Sequence, residues 1–237
     1  MFPRLRLAAV IVAALAGTQA ARAAPIDVQF SGTFSYVCGY PCAYYSPLQT
    51  GAAVVGSAGD QWNEFFASAA SNQALLDTSG GTTGVTLTFA ANGAYTSAPT
   101  YDAFQGTPWA NLMLGYLVNN ISMTLSGLTP GGSYDMYVYA QGDNNSAGRA
   151  IGLTATGGST ATATQTNTNT FIQNNNYVLL QPIADAFGTI FIQQFSGTGE
   201  TNVNGFQLVS IDVPEPAGAT VLGIALLGLA GLTRKFR

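Results

Sequence analysis

Residues 121–141 read ISMTLSGLTPGGSYDMYVYAQ, and the two runs flanking LTPGG at 128–132 decide the fold class. In YDMYVYA, Tyr134, Met136, Val138 and Ala140 fall on one face while Asp135, Tyr137 and Tyr139 fall on the other, as a half-buried strand requires. Proline presets φ and glycine accepts a left-handed backbone, so LTPGG is a turn. The two runs together read as a β-hairpin.

The same punctuation continues outward from this block. Runs at 28–37, 84–91, 121–128, 134–141, 150–156, 177–181, 189–195 and 203–212 are strand-like and are separated by Gly, Asn, Ser and Pro. Segment 60–70 differs, because Trp62, Phe65, Phe66 and Ala69 recur at three and four residues; this predicts a short helix across the sandwich, capped by Asp60. The expected fold class is all-β, a single β-sandwich over 24–212 with one short helix. An immunoglobulin-like or fibronectin-like sandwich, or a split of the body near 98–108, stand as alternatives.

Charge placement is more informative than charge number. The chain has 237 residues, 28 glycines and no histidine, and six of its seven basic residues lie before residue 25 or after residue 233. Between 25 and 212 there are ten acidic residues and one arginine, Arg149, a net charge of −9. Such a body cannot neutralise phosphates, so nucleic acid and anionic membrane surfaces are excluded as electrostatic partners. Without histidine there is no Ser-His-Asp or Cys-His arrangement and no imidazole metal ligand. Hydrolysis would have to rest on two facing carboxyls. The body has only Glu64, Glu200 and scattered aspartates, with nothing to bring two together, so a non-catalytic body is expected.

Both ends read as targeting segments. Residues 1–23 begin with Arg4 and Arg6, continue through an apolar stretch and close on the small residues Ala21 and Ala23, the order of a signal peptide cleaved after Ala23. At the other end, Pro214 and Pro216 hold the chain extended around Glu215. Residues 217–232 follow without a charge, long enough for about 24 Å of helix against a hydrocarbon core of about 30 Å. Arg234, Lys235 and Arg237 then act as a cytoplasmic stop. VPEP, a short apolar helix and a basic terminus resemble the PEP-CTERM sorting signal of exported bacterial proteins, a tail also labelled as an ice-binding protein C-terminal domain. The resemblance implies recognition of Pro214, Glu215 and Pro216 by a membrane-embedded exosortase in bacteria that make extracellular polysaccharide. It also implies that residues 213–237 form the sorting signal, with transient insertion of its helix at 217–232 in the inner membrane, and delivery of the body to the cell surface or extracellular matrix.

The block at 121–141 and the closing VNGFQLVSID at 203–212 resemble the rear half of galactose-binding-like jelly rolls, a fold used by many carbohydrate-binding modules. Extracellular polysaccharide is the expected partner because the family that the tail resembles travels with exopolysaccharide production. Candidate binding residues are the loop aromatics Tyr40, Tyr44, Tyr45, Tyr95, Tyr101 and Trp109, each of which could equally plug one end of the sandwich. Asp143 and Asn145 in GDNNSAGR could line a polar site whose oxygens hold a structural calcium, although Ala147 breaks the EF-hand spacing and a plain turn is the competing reading. No other cofactor is expected. Cys38 and Cys42, in CGYPC, are expected to form a local disulfide after export.

One stretch stands apart. Thr160, Thr162, Thr164, Thr166, Thr168 and Thr170 alternate along 159–170 and would share one face of a strand, a hydroxyl row suited to ice-like water or to a glycan. A single row cannot tile a surface, and no internal repeat supplies neighbouring rows. A polar strand face or a loop is the plainer expectation.

Overall fold

The LTPGG turn forms, but it connects two sheets rather than two neighbouring strands. In the computed structural model, which describes residues 23–32 and 48–211, the Gly132 amide donates to the Thr129 carbonyl at 2.9 Å and Gly131 sits at φ +71°. Pro130 and Gly131 thus occupy the central positions of a type II turn. The expected hairpin is corrected by the pairing on either side. β1 (Ile26–Ser31), β2 (Asn63–Phe66), β8 (Tyr134–Tyr139), β11 (Tyr177–Leu180) and β14 (Gly205–Ser210) form a five-stranded sheet in the order β11-β8-β14-β1-β2. β3 (Ala69–Leu76), β4 (Thr82–Ala90), β7 (Ser122–Ser126), β9 (Ala150–Ala155), β10 (Ser159–Thr164) and β12 (Ile190–Thr198) form a six-stranded sheet in the order β10-β9-β12-β7-β4-β3. β7 and β8 therefore belong to opposite sheets. Tight hairpins use two to five loop residues, whereas residues 127–133 leave enough chain to cross the ~10 Å between packed sheets.

A third sheet, β13 (Asn202–Val203), β6 (Gly115–Val118) and β5 (Gly93–Thr96), closes one side. Pairing is antiparallel throughout except where β1 meets β2. Alternate residues of both large sheets meet in one core: Val28, Phe30, Met136, Val138 and Phe206 from one side, Leu87, Met123, Leu125, Ile151 and Ile192 from the other. The molecule is an all-β sandwich.

The expected helix at 60–70 is not formed. Asn63–Phe66 pairs with β1 and Ala69–Leu76 pairs with β4, while Asp60 caps no helix and instead takes the Ser57 amide and hydroxyl at 2.7 and 2.6 Å. Four positions are too few to fix a period, and strand pairing with β1 won over the spacing. The only α-helix among the described residues is α1 (Ala110–Leu114), in the long β5–β6 connection. Among the described residues no helix is long and apolar enough to cross a membrane. Ala21, Cys38, Cys42, Tyr40, Tyr44, Tyr45 and the tail, with Pro214, Glu215, Pro216, the 217–232 segment, Arg234, Lys235 and Arg237, lie outside the described residues.

The outer face of the five-stranded sheet is covered. Trp62, Phe104, Leu112, Met113 and Tyr139 form a second buried cluster there, with Trp109, Phe171 and Tyr177 against it. Phe171 is central, its ring 5.0 Å from Trp109, 5.2 Å from Phe104 and 5.0 Å from Tyr139. Buried amides fasten the covering loops to the strands. Gln29 on β1 accepts from the Gln49 amide at 2.7 Å and donates to the Asn111 carbonyl at 3.0 Å. Gln207 on β14 donates to Asp27 Oδ2 and to the Val55 carbonyl, both at 3.0 Å, and accepts from the Tyr139 hydroxyl at 2.5 Å.

Candidate functional site

One end of the sandwich gathers polar side chains from segments far apart in sequence. Ser97 and Asp102 come from the β5–β6 connection, Tyr116 from β6, Asp143, Asn145 and Arg149 from the β8–β9 loop, Glu200 from the turn after β12 and Asn202 from the start of β13. The Asp143 carboxylate accepts from the Tyr116 hydroxyl at 2.9 Å and from the Ser97 hydroxyl. Burial and then the nearby Asp143 charge, aided by the hydrogen bond Tyr116 gives to it, hold the Tyr116 phenol well above its ordinary range, so it stays a donor.

Beside this pair runs a second chain of contacts. Arg149 Nη1 meets Glu200 Oε1 at 2.9 Å, and the same oxygen accepts from Asn202 Nδ2 at 3.0 Å. Gln165 links the two segments by donating to Asn202 Oδ1 at 3.3 Å and accepting from the Gly142 amide at 3.0 Å. Arg149 also reaches Asn145 Oδ1 at 3.5 Å. The result is a half-exposed rim of carboxylate, guanidinium and amide groups.

Two buried side chains at this end are incompletely satisfied. Asp102 is 7 % exposed; its Oδ1 accepts from the Phe104 amide at 2.8 Å, and its Oδ2 has no hydrogen-bond partner among the described residues. Burial above all, opposed by the Phe104 amide and reinforced by the Asp143 charge, pushes the Asp102 carboxyl up to about 6. The side chain of Gln141, fully buried, likewise has neither its oxygen nor its nitrogen paired among the described residues. Next to them Tyr101 closes a 3-10 turn with its ring 46 % exposed, and its carbonyl takes the Asn144 amide at 2.6 Å. The segment that carries this exposed tyrosine is thus tied by hydrogen bonds to the loop that holds Asp143 and Asn145.

The sequence candidates divide accordingly. Asp143 and Asn145 lie in this cluster and Tyr101 at its edge, while Tyr95 stacks 6.4 Å from Tyr116. Trp109 does not join them: its ring packs on Phe171 and its indole donates to the Ala52 carbonyl at 3.2 Å, which makes it part of the cover over the five-stranded sheet. Ser97, Asp102, Tyr116, Gln141, Gln165 and Asn202 were not evident from sequence. Their only local signal was the position of Asp102 beside Tyr101 in a Gly/Pro-punctuated connection. Among the described residues no group of three or more acidic or thiol side chains is placed to hold a metal ion.

No family model matches the chain, and no curated protein matches it. Among solved structures, the chain is similar to the isomalto-dextranase of Arthrobacter globiformis T6 complexed with panose, at 14% identity and a TM-score of 0.28 over 58% of this chain. The chain spans 22% of the length of that protein.

Proposed function

We propose that the protein is an exported bacterial cell-surface or extracellular-matrix component whose sandwich, jelly-roll-like in outline, is a non-catalytic module that associates with polysaccharide. The observation that carries this reading is the exposed Tyr101, joined through its carbonyl to the Asn144 amide of the loop that presents Asp143, Asn145 and the Arg149–Glu200 pair. A sugar offers an apolar C–H face and a rim of hydroxyls, and a ring flanked by fixed donors and acceptors answers both. Arg149 and Asp143 supply charge-assisted hydrogen bonds, the stronger kind. Delivery is proposed through cleavage after Ala23, oxidation of Cys38 and Cys42 on export, and exosortase processing at Pro214, Glu215 and Pro216, on the strength of the sequence pattern at both ends.

Calorimetry of the full-length chain against exopolysaccharide purified from its source organism, with and without calcium, tests the reading. Saturable heat that falls at least tenfold in Tyr101→Ala and in Asp143→Asn is the expected result. A folded protein giving no heat in either condition would leave a structural matrix or adhesion protein without glycan specificity. Release of reducing sugar that disappears in Asp102→Asn would replace binding by carboxylate-based hydrolysis.

A further inference from the structure

We infer that the outer face of the six-stranded sheet, left exposed by the described residues, is a second docking surface, shaped for a neutral, extended polysaccharide, with Phe191 and Phe195 as its ring platforms. Of the threonine row at 159–170, Thr160, Thr162 and Thr164 lie on a strand and form one row among several, while Thr166, Thr168 and Thr170 lie beyond it in a loop. Thr160, Thr162 and Thr164 point outward from the edge strand β10 while Ala161 and Ala163 turn toward the core. Register then carries hydroxyls and amides across the sheet, since Thr160 pairs with Thr154, Thr154 with Gln193 and Gln193 with Ser122. A second line runs from Phe191 through Thr124 to Thr88. Neighbouring strands lie ~4.8 Å apart and same-face residues ~6.7 Å apart along a strand, so these lines make a two-dimensional array without any sequence repeat.

Two rings rise from the array. Phe191 is 45 % exposed, and its backbone is gripped by the Thr156 hydroxyl, which accepts from its amide at 2.7 Å and donates to its carbonyl at 3.3 Å. Phe195 is 57 % exposed and sits at a β-bulge between Gln194 and Ser196. Its ring edge and the Ser196 hydroxyl occupy the space that a Cβ on Gly152 would need, so glycine at that position lets the ring lie over the sheet beside Thr162. Bulges re-aim side chains in this way next to functional surfaces.

Charge selects the occupant. None of the six strands contains Asp, Glu, Lys or Arg, although the body carries a net charge of −9. A charged polymer or a basic protein finds no counter-ion on this face, and a second copy would bring another acidic body against the first. Hydroxyls, amides and ring faces match a neutral polyol chain, with hydrogen bonds to its hydroxyls and ring contact to its C–H faces. This surface is separate from the Tyr101 end and does not rest on that reading.

Depletion of the full-length chain from solution by suspended microcrystalline cellulose and by insoluble β-1,3-glucan tests the proposal. The wild-type chain is expected to be removed by at least one of these polymers, equally well at low salt and at about 1 M salt, because no ion pair takes part. Phe191→Ser/Phe195→Ser is expected to cut retention at least tenfold with an unchanged Tm, and Thr162→Glu is expected to do the same. Wild-type chain left in solution by both polymers, or a double variant retained like wild type, overturns the proposal. A dimer in sedimentation that dissociates in the double variant also overturns it, in favour of self-association.

Discussion

The two large sheets treat their outer faces differently. The five-stranded sheet is covered by loops and aromatic rings over β1 and β14, where the residues it turns outward include the fully inaccessible polar groups Asp27, Gln29 and Gln207. The six-stranded sheet turns Thr, Ser and Gln outward and has no comparable cover of described residues over Phe191 and Phe195. Antiparallel sheets commonly keep one wet face, and the six-stranded sheet follows that habit. On the first face an unpaired buried donor or acceptor costs about 1–3 kcal/mol, and of the Asp27 carboxyl oxygens only Oδ2 has a hydrogen-bond partner among the described residues. The second can change chemistry at little cost in stability.

The sharpest way to break that comparison is Gln207→Ala. It removes the partner of Asp27 Oδ2, of the Tyr139 hydroxyl and of the Val55 backbone, all at once. A loss of about 3–5 kcal/mol is expected from stranding these groups, read as a lower urea midpoint with the covering loops loosened. A loss below about 1 kcal/mol would mean that water satisfies them and that the cover is not tightly closed.

Asp27 turns the same contrast into a pH dependence. Burial, with a smaller push from Asp60 and an opposing hydrogen bond from Gln207, raises its carboxyl from 3.8 to about 7. Below about pH 4 both folded and unfolded chains hold the proton and no penalty arises. As pH climbs toward 7 the unfolded chain ionises first, so stability falls across that window, by at most about 4 kcal/mol for a shift of this size. Glu64, raised to about 7 mainly by burial, works in the same direction. The protein is therefore expected to be more stable at pH 5 than at pH 8. Asp27→Asn keeps an acceptor for Gln207, flattens the trend and stabilises the fold at pH 8; urea midpoints at the two pH values decide the matter, and a wild-type midpoint that rises with pH sinks it.

Eight runs marked as strands in the sequence each contain a strand in the structure, because alternation and Gly/Pro boundaries are local signals. Partner choice is not local. Nothing in LTPGG says whether the following strand pairs back or crosses over, and nothing in WNEFF says that β1 waits to pair with it. The short β5 and β6 lack alternation and were missed, and with them the connection that places Ser97, Asp102 and Tyr116. Asp143 and Asn145 were legible as a polar loop. The partners of Asp143 come from two other segments, Ser97 from the β5–β6 connection and Tyr116 from β6, so only the fold could assemble them. Thr160, Thr162 and Thr164 were legible as a row, but the outward Thr86 and Thr88 of β4, Ser122, Thr124 and Ser126 of β7 and Thr154 of β9 lie in runs whose apolar alternation marked them only as strands.

Gly131→Ala probes the arch between the sheets. At φ +71° an added Cβ meets its own backbone, and nothing else lies within 4 Å of it, so the cost should be that of the left-handed conformation alone, about 1 kcal/mol. A Tm drop of several degrees is expected, with no change in depletion by polysaccharide.

The smallest expected effect bears most directly on the bare face. Thr88→Val and Thr124→Val exchange a hydroxyl for a methyl at nearly constant shape and strand preference, on adjacent positions of β4 and β7. If the outer face is not part of what holds the sandwich together, Thr124→Val should move stability by less than about 0.5 kcal/mol. Thr88 is a finer instrument, because its hydroxyl also accepts from the Asn72 amide at 3.0 Å, and Asn72 sits at φ +51° on the edge strand β3. Its loss should loosen that edge, visible as faster amide exchange in β3, while the global midpoint stays put. A hydroxyl row that can be removed without unfolding the protein is not required by the fold. What remains for it is contact with whatever lies outside.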